Sequence, residues 1–544
     1  MQIDSFHWKK SQPLAEDYVA GSEAVRALYP HHFASAASWE TRVKWLDEAA
    51  GRPQADREQL VQVLRTYNER IGNHDQAFAS IAALHDAKTL AIVGGQQAGL
   101  FGGQLLVLYK AITLIQAARE WSGKLGRSVV PIFWIAGEDH DFDEVNHLFA
   151  LTQAQQIEKI KIDHPTGQRT SVSRLPVSPE AWEEALTALD HTLMDTEFKE
   201  ALLGKLRASV EQGATLSDAF ARWMAMLFGE YGLVLIDSDE PALRKLEAGL
   251  FEQLIVRNEE LAQALAASKE AVVAAGYGAQ ADIQDNGANL FVFAHGQRLL
   301  LHREDGVYTD RKGTVRFTPE ELRERALREP ESFSNNVMTR PLMQDYLFPV
   351  LATVLGPGEI AYWSLTKEAF ERFGLQMPIV LPRMEFTLIE GTIKKQMDKY
   401  DFSLNDVIER YEQKKQAWLD EQDTLRLPER FEQVKAIFRD SYQPLVESLG
   451  SINSGVKKLG DTNMAKILEQ IDYLQHKASE AHQTQFDSAI RQLERVRLTI
   501  IPFAKPQERV YNGCAYLNRY GDGWLHALLD TPIPVDGVHR VFYL

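Results

Sequence analysis

The stretch that decides the fold is TLAIVGGQQAGLFGGQLLVLYKAI, residues 89–112, together with VVPIFWIAGEDHDFDEVNH, residues 129–147. Residues 89–93 form a short unbroken apolar run, as expected of a strand covered on both faces. The run stops in a glycine cluster, Gly94, Gly95, Gly99, Gly102 and Gly103, and an apolar helix follows from about Leu105 to Ala118. Residues 129–135 repeat the strand pattern and end at the acidic turn GEDHD, residues 137–141. Strand, glycine turn, helix and strand make a βαβ unit, so the two strands run parallel with a right-handed crossover. Both turns then leave the same rim of one sheet.

Outward from this unit the same texture recurs. YGLVLI (231–236) ends at Asp237 after a helical pattern over 219–228, and PIVL (378–381) ends at Arg383 after a helical stretch over 367–373. LFVF (290–293) and RLLL (298–301) flank His295 and Gly296 and predict an antiparallel hairpin. The first ninety residues carry helical spacing, as in Val43, Leu46, Leu60 and Leu64. The fold class is therefore α/β: a Rossmann-like parallel-sheet core over residues 1–385, interrupted by insertions at about 151–214 and 245–335. Residues 386–499 are dense in charge and poor in glycine, and predict a helical arm; residues 500–544 return to the core. In the arm, Ser403 and Asp406 have capping-box spacing and Pro428 suits a first helical turn. Pro444 should kink the end of its helix. Ile467, Ile471, Leu474, Ala478 and Ala481 continue one position out of phase into Phe486, Ala489, Leu493 and Val496, a stutter in one final helix. That helix of about forty residues would span roughly 60 Å. Its apolar seam needs a cover, and a twofold homodimer is the commonest closed solution.

Composition narrows the function. The 544 residues suffice for about three to four domain equivalents. Fifty-nine Lys and Arg against 76 Asp and Glu leave a charge of −17, which disfavours nucleic acid and anionic membranes as main partners. The single cysteine, Cys514, excludes an intrachain disulfide and thiolate-rich metal sites, so no structural metal is expected. It reads as a packing residue, since no base stands near it in the chain. The opening MQIDSFHWKKSQPL lacks a basic stretch followed by an apolar one, and no apolar run approaches the length of a membrane span. The expectation is a soluble cytoplasmic protein.

Three clusters can carry chemistry. The glycine turn lacks the Lys and Ser or Thr of a P-loop, because Leu100 and Phe101 stand there. A glycine turn before a helix N-terminus still suits an anion, with Gln96 and Gln97 adding amides; alternatively the glycines only allow close strand-to-helix packing. Residues 137–147 hold five carboxylates and two histidines. They suit a hard cation, an ammonium group or a general base. Glu138, Asp139 and His140 are the functional candidates, whereas Asp143, Glu144 and Asn146 fit helix capping. His140 and His147 have no standard zinc spacing. In the third cluster, Arg340 precedes a proline, which should hold it extended as an anion clamp. The other reading is a buried Arg–Asp pair bracing the sheet. Gly356-Pro-Gly358 is a rigid turn presenting Glu359.

The runs GGQQAGLFGGQLLVLYKAI, PIFWIAGEDHDFDEVNH, TRPLMQDYLFPVLATVLGPGEIAYW and MPIVLPR, then a helical arm and QERVYN…LNRYG, resemble the bacillithiol biosynthesis cysteine-adding enzymes. The resemblance covers essentially the whole chain. It implies a Rossmann-like core with two connecting-peptide insertions and a coiled coil that makes a homodimer. It further implies a ligase joining the cysteine carboxyl to the amine of glucosaminyl malate, with ATP or ADP, with or without Mg²⁺, as co-substrate. Under it, Glu138, Asp139 and His140 orient and deprotonate the amine. Gln96, Gln97 and Gly99 cradle substrate or nucleotide anions, and Arg340 and Gln344 hold a carboxylate. Glu359 and Tyr362 shape the pocket floor, and Tyr511, Asn518 and Arg519 belong to a nucleotide pocket. Two other classes fit the same residues: a non-catalytic nucleotide- or sugar-binding coiled-coil scaffold, and a metal-dependent hydrolase built on the acidic–histidine cluster.

Overall fold

The computed structural model describes residues 2–48, 51–152, 154–210, 214–422, 426–484 and 486–544, the side chain of residue 483 excepted. The chain divides into two compact units: Met1–Leu388 with Gln507–Phe542 and Leu544, and Ile389–Pro506 with Tyr543.

Along the first unit run β1 (Leu90–Gln96), α1 (Leu105–Leu125), β2 (Val129–Ile135), α2 (Leu216–Phe228), β3 (Val234–Asp237) and α3 (Pro241–Val256). Then come β4 (Gly287–Ala294), β5 (Gln297–Glu304), β6 (Val307–Asp310), β7 (Arg316–Phe317) and β8 (Phe333–Asn335). Last are α4 (Arg340–Leu347), β9 (Val350–Leu355), α5 (Pro357–Trp363) and β10 (Ile379–Pro382). Five strands form one sheet in the order β10-β9-β1-β2-β3, and every neighbouring pair is parallel. All residues of β2, β3, β9 and β10 are buried, which is why these strands read as continuous apolar runs rather than alternating ones. Helix α1 is buried from Leu105 to Ala118, and a helix wrapped on all sides is apolar all round.

The expected hairpin is β4–β5, turning at His295 and Gly296, and it belongs to an antiparallel sheet of order β7-β6-β5-β4-β8. A separate hairpin pairs His147–Leu151 with Ile157–Lys161. The strands Gln2–Phe6, His539–Tyr543 and Glu385–Ile389 make a three-stranded sheet.

The second unit is helical. Its longest elements are α6 (Leu427–Leu449), α7 (Ser454–Thr484) and α8 (Asp487–Ile500). Lys435 Nζ meets Asp472 at 2.7 Å and Tyr442 OH meets Asn463 at 2.8 Å, so α6 and α7 pair antiparallel. The Ser403–Asp406 capping box forms. Pro444 lies inside the last two turns of α6, which runs on to Leu449. One expectation of the arm changes, that of a single final helix. The final forty-residue helix is two helices, and Phe486 (φ −99°, ψ 0°) opens the second where the apolar phase slips. No helix among the described residues is long and apolar enough to cross a membrane.

Candidate active site

In register, Gln96 of β1 pairs with Ile135 of β2, so the residues that follow leave the sheet side by side. Gln97 Nε2 donates to Asp139 Oδ2 at 2.8 Å and to Glu144 Oε2 at 2.9 Å. The glutamine loop and the acidic loop thus meet at one rim. Asp139 Oδ1 accepts the N–H of His140 at 2.7 Å and lies 3.7 Å from Arg298 of β5. Arg298 is buried, with its guanidinium over the Phe291 ring at 3.7 Å. Burial alone raises the Asp139 carboxyl, but the Gln97 amide, the Arg298 charge and the His140 N–H outweigh it and hold the group below its ordinary range. His140 moves down as well, through burial first and then through Arg298 and Arg169. At neutral pH the pair is a carboxylate beside a neutral imidazole.

Glu138 faces inward instead. Its Oε2 accepts Arg244 of α3 and the Asn335 N–H at 3.1 Å. Arg244 also donates to Glu247 at 2.6 Å, and all three side chains are buried. Breaking such a pair from one side costs about 3–5 kcal/mol, so Glu138 serves the fold rather than the amine. Beside it, Asp239 takes a two-pronged contact from Arg174 at 2.7 and 2.8 Å. Burial, then the Asp239 charge, push Asp237 up to about 7. Gly137 sits over this group: a Cβ there would stand 1.9 Å from Ser173 Oγ and 2.4 Å from Asp237 Oδ1.

The glycine turn is filled by protein. Phe101 (φ 47°) and Gly102 (φ 91°) take left-handed conformations, and a Cβ on Gly99 would stand 2.5 Å from the Gly103 Cα. Asn512 Nδ2 reaches the carbonyls of Phe101 at 3.1 Å and Gly103 at 2.5 Å, and its Oδ1 accepts the Cys514 N–H at 2.8 Å. The Leu105 N–H at the start of α1 donates to the Tyr511 carbonyl at 2.8 Å. Gly99 therefore packs a tight turn and does not cradle an anion; the packing reading holds there. Cys514 is buried and its thiol is pushed up to about 12 by desolvation, as a packing residue should be. Gln96 stays half-buried at the rim, its carbonyl accepting Ala136 N–H at 2.9 Å.

Strand order reverses its progression between β1 and β9, the place where open α/β sheets leave a crevice. Lys110, buried in α1, donates there to the Gly95 carbonyl at 2.6 Å and to Glu359 at 2.5 Å. The same Glu359 oxygen accepts the Gly356 N–H at 2.8 Å, capping α5. Arg340 is the first residue of helix α4, not extended: a proline at the second position of a helix is tolerated because its missing N–H has no partner to lose. Its guanidinium donates to the Tyr362 hydroxyl. Gln344 is buried in the same helix. The buried Arg–Asp brace does form, with Asp345 paired to Arg42 rather than to Arg340. Arg42 also donates to the Val350 carbonyl at 3.0 Å.

Asn518 spends its amide on the chain, donating to Met194 O at 2.9 Å and accepting from Thr196 Oγ1 at 3.1 Å. Arg519 lies near the buried Tyr511 and lowers the cost of ionising it. No cluster of three His, Cys, Asp or Glu poised for a metal occurs among the described residues.

Arg298, Arg169, Asn512 and Lys110 were not singled out from sequence. Lys110 alone leaves a local signal, a lysine inside an otherwise apolar helix.

Residues 1–384 match the family model described as bacillithiol biosynthesis BshC, N-terminal Rossmann-like domain, and residues 386–544 match its C-terminal coiled-coil domain. A Geobacillus sp. (strain WCH70) protein named "Putative cysteine ligase BshC" is 35% identical over 547 residues, covering all of both chains. Proteins of the same name from Bacillus cytotoxicus (35% identical, 90% of this chain and 91% of the relative) and Bacillus cereus strain AH187 (33%, 98% of each) are similar throughout.

Proposed function

This chain belongs to the BshC family of bacillithiol biosynthesis, and from that premise we propose that it is a cysteine ligase, joining the carboxyl of cysteine to the amine of glucosaminyl malate. The observation that carries the reading is the Asp139–His140 pair at the rim of the parallel sheet. A carboxylate with a depressed pKa is a weak base but a durable anion, and Asp139 fits the ammonium form of an amine. A neutral imidazole beside it can take the proton that the amine must lose before it attacks. The new C–N bond forms at the cysteine carboxyl carbon, and the amine proton passes to His140. Gln97, bonded to Asp139, positions that carboxylate.

The carboxyl oxygen has to leave with an activating group, for which ATP or ADP, with or without Mg²⁺, is the expected source. The residues proposed to hold a nucleotide do not fit one as they stand. The Gly99–Gly103 turn is stapled by Asn512, and the Asn518 amide is spent on the chain. No step is therefore routed through a nucleotide. Exchange of labelled pyrophosphate or of ADP into ATP, with cysteine present, separates the adenylate and acyl-phosphate routes.

A homodimer through the helical unit belongs to the same proposal. Ile437, Ile452 and Leu459 are 66, 73 and 68% exposed there, a cost in water that a second copy removes. Sedimentation of the full chain tests it. For the reaction, purified protein with cysteine, glucosaminyl malate and ATP should yield bacillithiol, and Asp139→Ala should not. A deletion strain that keeps its bacillithiol would refute the assignment.

A further inference from the structure

Arg169 and Arg298 come from chain segments far from the acidic loop, yet both end on His140. Their backbones are joined: the Arg298 N–H donates to the Arg169 carbonyl at 2.8 Å. Arg298 is 8% exposed and fixed by Ser334 Oγ at 2.8 Å and the Asn335 carbonyl at 2.7 Å. Its remaining nitrogen points at His140 Nδ1, 3.1 Å away. The Arg169 guanidinium lies within hydrogen-bond distance of His140 Nε2.

This arrangement has one acceptor too few. A guanidinium only donates, and a neutral imidazole offers a single lone pair. Whichever tautomer His140 takes, one guanidinium faces an N–H. Protonating the ring makes both contacts donor against donor. Asp139 and Asp141, 3.7 and 3.9 Å from the ring nitrogens, are the other charges that face it, and Asp139 is already engaged by Gln97 and by a backbone N–H. An anion with planar acceptors would match both guanidiniums, since such a pair holds one in forked contacts.

We propose that Arg169 and Arg298 form a carboxylate-binding site beside Asp139, and that the malyl group of the amine substrate occupies it. The identity of that group rests on the ligase reading above. Between the two carboxyl-bearing substrates, the malyl group is favoured because it keeps its charge throughout the reaction. The cysteine carboxyl loses its charge as the amide forms, so a site built on ion pairs would bind its ground state and oppose the step. The geometry also suits an amino sugar, whose amine is one carbon from the anomeric position that carries malate. Asp139 would take the amine while the neighbouring guanidiniums, 3.7 Å from it at Arg298, take the carboxylates. Drawing the guanidiniums onto a carboxylate also frees a His140 lone pair for the amine proton.

The test is calorimetry on the full chain with L-malate as probe and L-cysteine as the competing source of a carboxylate. Arg169 is exposed, so Arg169→Gln keeps the fold, and Arg298→Lys keeps the charge while losing the fork. Malate should bind the wild type, and each variant should weaken it at least about tenfold, the usual worth of a charge-assisted contact. Binding should also take up a proton, because an anion beside His140 raises its affinity for one. A wild type that gives no heat with malate up to about 10 mM overturns the site. So do variants that bind malate like wild type, or variants that lose cysteine binding instead. Malate binding lost in the variants by a protein that forms no bacillithiol leaves the site standing and removes the ligase reading. Bacillithiol formed with an unchanged KM for glucosaminyl malate in both variants does the reverse.

Discussion

Two loops leave the same sheet edge one strand apart and meet opposite fates. The Gly99–Gly103 turn after β1 looks, by composition, like the binding loop, yet Asn512 and Tyr511 take its carbonyls and the first N–H of α1. The turn after β2 reads by composition as acidic–histidine chemistry followed by a helix cap, and it presents Asp139 and His140 beside two arginines that share the one lone pair of a neutral imidazole. Glycine at a strand end allows close approach, and what approaches can be protein as readily as ligand. Polar groups left without matched partners at such an edge are the better sign of a ligand.

Four measurements break or sharpen this contrast. Asp139→Asn should lower bacillithiol formation by about 10²–10⁴-fold while leaving the melting temperature within a degree or two, since its partners are at the rim; a small loss of activity would place the chemistry elsewhere. Asp237, beneath the same loop, is raised to about 7 from 3.8, so its contribution to stability is present below about pH 3.8 and lost as pH rises through about 7. Asp237→Asn should therefore become more stable than wild type toward pH 8, by at most about 4 kcal/mol, read from denaturant unfolding at pH 5 and 8. An identical pH slope in both proteins would show that the carboxylate is paired more fully than its contacts with Ser173 and Asp239 suggest. In the glycine turn the sign reverses: Asn512→Ala should cost about 2–3 kcal/mol by leaving buried carbonyls unpaired. If that variant keeps its stability and loses activity, the turn is a binding loop after all. The smallest effect is Gln97→Ala, about tenfold in kcat with little change in KM, because the residue acts through Asp139.

Much of this was legible in advance, and unevenly. Residues 89–93, 129–135, 231–236 and 378–381 announce buried strands, because a strand covered on both faces must be apolar at every position; the third starts only at Val234, after a 3-10 turn over Gly229–Tyr231. The placement of Asp139 and His140 at the rim follows from the βαβ rule alone. Glu138 could not be separated from them by pattern, since its inward turn depends on Arg244, more than a hundred residues on. Arg340 misled because the pre-proline restriction is a tendency that the first turn of a helix can override. Asn512 sat inside a recognisable run, QERVYN, without a sign that its amide would close a distant turn.

By itself, then, the sequence determined the parallel sheet, the edge at which the glutamine and acidic loops leave it, and the helical character of residues 386–499, because apolar periodicity records how much of each segment is buried. Only the tertiary structure decided which polar groups at that edge are spent on protein and which crowd onto a single imidazole. Burial is written locally in a chain, whereas a hydrogen-bond partner is chosen across more than a hundred residues, as His140 finds Arg298 and Gly103 finds Asn512.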